Sequence, residues 1–207
     1  MVCVSVRKLV MLMEALSVIC RIFLAIVFIS SGASSLRYWH VHIGIIKDYR
    51  ILPEPWVRCF AILDHTIKWL TGISLLLGIY SSLAALIGSG LLLMYSIALA
   101  INLLRGRKEL SCGCGGLAGN HSISWKLVWR NLFLMTMCLC VYHVTASYGS
   151  LLSVIGGESI SRIYGTEYWI IAGTALLLAL LFSIFNELFV IRKKMQELLA
   201  KERQQSS

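Results

Sequence analysis

Residues 69–104 read WLTGISLLLGIYSSLAALIGSGLLLMYSIALAINLL, 36 consecutive positions without an Asp, Glu, Lys or Arg. As one helix this stretch would measure about 54 Å, nearly twice the roughly 30 Å hydrocarbon core of a bilayer. One crossing cannot absorb it, so the chain must turn within it, and the polar triplet Tyr80-Ser81-Ser82 marks the place. One span then covers residues 83–104, and the span before it is pushed back to about Phe60. Asp64, His65 and Lys68 are thereby drawn into the membrane end of that earlier span, where ionisable groups are costly and face the bundle interior.

Working outward, an apolar run over 13–36 contains Glu14 and Arg21. It is too long for a signal-peptide core and no small-residue cleavage site follows it, so it reads as a retained first span. Residues 37–58 are polar, and Pro53 and Pro55 block a continuous helix, which predicts a structured surface loop. Further apolar runs cover 123–146 and 168–191, the latter without charge from 169 to 186. The tail after Arg192 reads as a short charged helix or as disorder. With 58% hydrophobic and 14% charged residues in 207, the expectation is an all-α polytopic membrane helical bundle of about five spans. It forms one domain, with no internal repeat and no room for a separate soluble unit.

The net charge of +9 does not point to nucleic acid, because the 19 Lys and Arg sit at the ends of apolar runs and form no single basic face. With five spans, Arg37, Lys47, Arg50, Arg58, Arg105, Arg107, Lys108, Lys126, Arg192, Lys193, Lys194, Lys201 and Arg203 fall on one side, and only Arg7, Lys8 and Arg162 on the other. The positive-inside rule makes the richer side cytoplasmic, which places the N-terminus outside and the C-terminus and the 105–122 loop inside.

That loop carries the chemistry. Residues 105–120 read RGRKELSCGCGGLAGN, with Cys112 and Cys114 flanking one glycine. A glycine-rich backbone can bring two such sulfurs together, the small ring is strained, and strained disulfides exchange readily. Arg105, Arg107 and Lys108 supply positive charge that favours an attacking thiolate. A dithiol redox pair is the functional reading, and a glycine-rich turn with two inert thiols is the plain one. A zinc set of Cys112, Cys114, Cys59 and His121 is the third, disfavoured because one intervening residue is shorter than the usual two to four. Cys138 and Cys140 lie on one helix and cannot pair with each other; with Cys20 they read as small core residues, and Cys3 sits in an end.

Among the polar groups within the spans, Asp64 and Lys68 stand four apart and pair on one helical face, and Arg21 is a second candidate partner for Asp64. Their charges either neutralise one another and fix packing, or handle protons. Lys126 and Arg130 share a face beside Trp125 and Trp129, which read as interfacial anchors or, alternatively, as a quinone box. Asn131 is placed by depth to hydrogen-bond Asn102.

The succession Tyr49-Arg-Ile-Leu-Pro53, an acidic residue early in span two, Asn102 with Arg105-Gly-Arg107, Cys112-Gly-Cys114-Gly-Gly116, and Ile123-Ser-Trp125 leading to Arg130-Asn131 resembles the methylamine-utilisation protein MauE family, within the wider DoxX-like redox-associated membrane proteins. The resemblance implies a four-helix membrane domain over 14–146, followed over 147–207 by a loop, a fifth transmembrane helix at about 168–191 and a basic tail. Where the family commonly has an aromatic residue after the second cysteine, this chain has Gly115. The resemblance further implies a helper in the maturation, processing or export of the disulfide-rich small subunit of methylamine dehydrogenase, or of another exported cysteine-containing client, beside a thioredoxin-like partner. The family's redox cysteines correspond to Cys112 and Cys114 alone, with Arg105, Arg107, Asp64, Lys68, Arg130 and Asn131 in support. Two contrasting functions fit the same residues: a non-catalytic scaffold or small-molecule transporter, and a quinone-linked oxidoreductase subunit.

Overall fold

The computed structural model describes residues 2–107, 109, 110, 112, 123–144 and 149–205. Cys114, Lys108 and His121 lie outside them. The described residues form helices and no strand: α1 (Val2–Arg37), α2 (Trp39–Asp48), α3 (Glu54–Leu77), α4 (Ser81–Leu104), α5 (Trp125–His143), the short α6 (Leu151–Ile155) and α7 (Ile160–Ile163), and α8 (Thr166–Gln205).

Among the described residues, four helical stretches are long and apolar enough to cross a membrane: Leu9–Arg37, Glu54–Leu77, Ser81–Leu104 and Thr166–Phe185. The chain is thus a multi-pass membrane protein with an all-α bundle. Helix α5, expected over 123–146, forms with Lys126 and Arg130 in its first two turns, and packs chiefly on α4. Helices α1, α3, α4 and α5 close a ring in which each packs on the next, and α8 lies outside it against α1. Phe23, Leu24, Phe28, Leu75, Leu92, Leu134 and Cys138 fill the centre of the ring. Exposed leucines such as Leu70, Leu93, Leu177 and Leu181 face outward, as lipid-facing positions do.

The turn inside the uncharged stretch falls where Tyr80-Ser81-Ser82 predicts it. Helix α3 ends at Leu77, Gly78 takes a left-handed cap with φ +68°, Tyr80 has φ 45°, and α4 starts at Ser81. Glycine is required at 78 on two counts: that dihedral, and the Gly149 carbonyl, which would stand 2.6 Å from an added Cβ. Past its apolar stretch Thr166–Phe185, α8 continues as a helix to Gln205, so the tail takes the helical alternative.

Two expectations need correction. Residues 37–58 are not simply a surface loop, because Trp39–Asp48 form a helix with His42 buried on its inner side. Nor does the second span wait until Phe60: Pro53 is the N-cap of α3 and Pro55 lies in its first two positions. There the missing N–H has no intrahelical acceptor to lose, so these prolines begin a helix instead of breaking one.

Candidate functional site

Two polar sites lie toward the same end of the ring, the end where α1 and α4 finish and α3 and α5 begin. The deeper one centres on Asp64, 3% exposed. Lys68, one turn along α3 and equally buried, places Nζ 2.7 Å from Oδ2, so the predicted pair forms. Two further partners arrive from other helices. The Tyr95 hydroxyl of α4 donates to Oδ1, and His42 of α2 sets Nε2 3.3 Å from Oδ2. Lys68 also lies over the Tyr95 ring, 5.3 Å from its centroid. Trp39, His65 and Trp69 wall the outer side of the cluster, with Trp39 edge-on to His65 and His65 edge-on to Trp69.

Arg21 is not part of this cluster. It is 2% exposed and donates from Nη2 to the carbonyl of Gly149, at 3.0 Å. Its other guanidinium nitrogen lies beside Gly78. Gly78 is fourteen residues along α3 from Asp64, or about 20 Å, so α1 brings Arg21 to the far end of the bundle, where it anchors the segment after α5.

The second site is the end pocket that holds Cys112. Leu99 and Leu103 of α4, Ile123, and Leu127 and Val128 of α5 pack around this cysteine, which is 8% exposed. The Tyr49 hydroxyl, at the C-cap of α2, donates to the Cys112 carbonyl at 3.4 Å. Arg107 Nη1 donates to the carbonyl of Asp48 at 3.2 Å, tying the chain after α4 to the same end of α2. Arg105 caps α4 and is exposed. Leu110 accepts a backbone hydrogen bond from Ile123 at 2.9 Å, so these two residues meet at the same end of the bundle.

Between the two sites in depth, Asn102 and Asn131 are 0% and 2% exposed. The expected bond between them is not made. Asn102 Nδ2 donates to the Ala98 carbonyl, 3.0 Å away, while Asn102 Oδ1 and Asn131 Nδ2 have no hydrogen-bond partner. Arg130 is half-buried beside Asn131, and Trp125 and Trp129 point out of the bundle.

Of the remaining cysteines, Cys59 is exposed on α3 and Cys138 is fully buried. Cys20 and Cys140 are free thiols that lie near each other across α1 and α5, a neighbourhood the sequence reading missed. The Ser17 hydroxyl donates to the Val144 carbonyl at 2.6 Å, which fixes the antiparallel register that sets these two thiols side by side. Tyr95 and His42 were also missed. Tyr95 had one signal: it stands seven residues before Asn102, on the same face of α4.

Residues 13–144 match the family model for methylamine utilisation protein MauE, more than half of the chain. The methylamine utilization protein MauE of Paracoccus denitrificans is 35% identical over 121 residues, covering 58% of this chain and 65% of that protein. Its namesake in Methylorubrum extorquens is 32% identical over 111 residues, 54% of this chain and 60% of that one. That of Paracoccus versutus is 32% identical over 119 residues, 58% and 64% respectively. The chain thus spans less than two thirds of the length of these relatives. No solved structure matches it.

Proposed function

The chain belongs to the methylamine utilisation protein MauE family, and on that footing we propose that it is an accessory membrane protein of methylamine utilisation that works by thiol–disulfide exchange at Cys112 and Cys114. One observation carries the reading: Cys112 is held at the end of the bundle, packed against α4 and α5, with its carbonyl accepting a hydrogen bond from Tyr49. A cysteine whose carbonyl is held, followed in sequence by Cys114 among Gly113, Gly115 and Gly116, is suited to a pair that opens and closes.

A thiolate of the pair attacks a disulfide sulfur of the partner and releases one partner thiol, leaving a mixed disulfide. The second cysteine attacks that bond, the partner leaves as a dithiol, and Cys112 and Cys114 are joined. Two electrons pass to the partner, and each released thiolate takes a proton from solvent. The reverse sequence oxidises a client dithiol and returns the pair to its reduced form. A thioredoxin-like protein on one hand and an exported cysteine-rich client on the other are the two partners. The lipid bilayer holds the protein between them.

Equilibration of the purified full chain against graded mixtures of reduced and oxidised dithiothreitol, followed by acid quench, alkylation and mass mapping, tests this reading. The peptide bearing Cys112 and Cys114 should pass reversibly between two free thiols and one internal disulfide. A pair that stays reduced at every poise would return the loop to a structural turn.

A further inference from the structure

The turn from α2 into α3 encloses a hollow of about 460 Å³, within the roughly 300–1,000 Å³ of small-molecule sites. Lys47, in the last turn of α2, and Arg50, just past its cap, line it from one side, and Glu54, in the first turn of α3, from the other. Ile51, Leu52 and Val57 supply the apolar wall. Val57 is buried, while the three charged residues are exposed. The backbone is bent to make this hollow. Arg50 takes φ +48° and its N–H donates to the Lys47 carbonyl at 3.0 Å, so α2 ends on a left-handed residue where glycine is usual. A side chain is strained there, and the strain sets a guanidinium beside the Lys47 ammonium. Among the described residues every ion pair belongs to Asp64, so Lys47, Arg50 and Glu54 line one hollow without pairing.

The depth of the hollow points to lipid. Trp56, in the first turn of α3, is 64% exposed, and Trp125 and Trp129 stand out of the bundle at the same end. Indole rings so placed mark the boundary between membrane and water. Ile62 and Leu63, the next large apolar residues exposed on α3, come about 10 Å further along the helix. The charged mouth thus sits at headgroup level, above a surface on which acyl chains lie. Basic pockets at such a level recognise lipid phosphate. Lys47 and Arg50 alone would accept the phosphate of any phospholipid. Glu54 adds a requirement, because a glycerol headgroup brings an anion and nothing to offset the carboxylate. An ethanolamine headgroup carries an ammonium one ethylene bridge from its phosphate, and its N–H groups can donate to a carboxylate.

We propose that the hollow between α2 and α3 binds the phosphoethanolamine headgroup of a membrane lipid, with Lys47 and Arg50 on the phosphate and Glu54 on the ammonium. The site does not depend on thiol chemistry at Cys112 and Cys114. Lys47 and Arg50 flank Asp48 and Tyr49, which accept from Arg107 and donate to Cys112. A bound headgroup therefore braces the end of α2 on which those contacts stand, and stabilises the folded chain by mass action.

The test is native mass spectrometry of the purified, delipidated full chain in detergent. Ethanolamine and glycerol phospholipids with identical acyl chains are supplied together at equal concentration, and separate arms add inorganic phosphate or O-phosphoethanolamine. The first lipid bound should be the ethanolamine lipid, by several-fold. Arg50→Gly removes the guanidinium at a backbone position that glycine favours, so the lipid-free thermal midpoint should hold or rise while lipid occupancy falls several-fold. Lys47→Gln should lower occupancy likewise, and Glu54→Gln should keep binding but lose the preference between headgroups. Occupancy unchanged in both Arg50→Gly and Lys47→Gln would place the lipid elsewhere and overturn the site, as would a parent chain that binds none. A parent that takes the glycerol lipid equally well, or a preference that survives Glu54→Gln, would overturn the headgroup assignment. Displacement of the lipid by either soluble phosphate at equal concentration would make a soluble anion the occupant.

Discussion

Removing the Asp64 charge would leave the Lys68 ammonium, 3% exposed, without its counter-ion inside the bundle. Breaking one side of a buried pair costs about 3–5 kcal/mol, because the desolvation of the survivor is no longer offset. Asp64→Asn should therefore reduce the yield of monodisperse protein and its thermal midpoint more than Asp64→Asn combined with Lys68→Met. Equal losses in the two would mean that the charges do not compensate each other. Tyr95→Phe removes one hydrogen bond to a charged acceptor, so its cost should be smaller, about 1.5–3 kcal/mol. At this scale the sequence carries the Asp64 and Lys68 pair, since a spacing of four on one helix face is a local rule. It does not carry His42 or Tyr95 as partners, because both arrive from other helices. A tyrosine in an apolar run looks like packing, and a histidine in a polar segment looks like surface. Arg21 shows the same limit from the other direction: a charge within a span seeks a partner, but which end of the bundle supplies it depends on how α1 is set against α3.

Close approach of α1 to α3 depends on Gly72, where an added Cβ would stand 2.7 Å from Ile29 Cγ1 and 3.2 Å from the Ile29 backbone nitrogen. Isoleucine is stiff at χ1 and its backbone nitrogen is fixed in α1, so the contact is relieved by separating the helices. Gly72→Ala should cost about 1–3 kcal/mol by overpacking. Gly90→Ala makes the matched control on α4, since nothing lies within 4 Å of its added Cβ. It should leave the thermal midpoint unchanged or raise it, by removing glycine's penalty in a helix of up to about 1 kcal/mol. Midpoints that fall alike in both variants would contradict the packing described for α1 and α3. The long elements are the legible ones, because length without charge has one physical solution in lipid, and that logic located the turn at Tyr80 within the uncharged stretch. Helix α2 escaped because ten residues are too few for a span and the two prolines after it drew the whole segment into a loop. Its amphipathic pattern, with His42 inward and His40 outward, acquires meaning only against α3.

For the molecule as a whole, α8 starts beside the first half of α1 and runs parallel to it, as Val18 and Ile22 pack with Tyr168 and Ala175. Arg37, Lys47, Arg50, Arg105, Arg107 and Lys126 all lie toward the end that holds Cys112. By the positive-inside rule, reporter fusions after Arg107 and after Arg203 should both report the cytoplasm. An external signal at either would reverse the proposed orientation and turn the cysteine loop toward an exported client. The bundle was legible at this scale because hydropathy alone separates membrane from water. The Cys112-Gly-Cys114 motif was legible in the sequence, while the pocket that seats Cys112 was not, since Leu99, Leu103, Leu127 and Val128 are ordinary apolar residues until α4 and α5 pack. Cys20 and Cys140 supply a control, for Cys140 lies in the last turn of α5, at the end of the bundle opposite Cys112. The most direct measurement is partner trapping, since exchange passes through a mixed disulfide. Cys112→Ser, Cys114→Ser and the double variant are expressed with the partners present, thiols are quenched with acid and an alkylating agent, and the proteins are separated without reductant. One or both single variants should give a higher-mass band that disappears on reduction, the double variant should give none, and Cys20→Ser and Cys140→Ser should leave normal exchange intact. A band that survives in the double variant, or exchange that is lost with Cys20 or Cys140 instead, would contradict the assignment of the chemistry to Cys112 and Cys114.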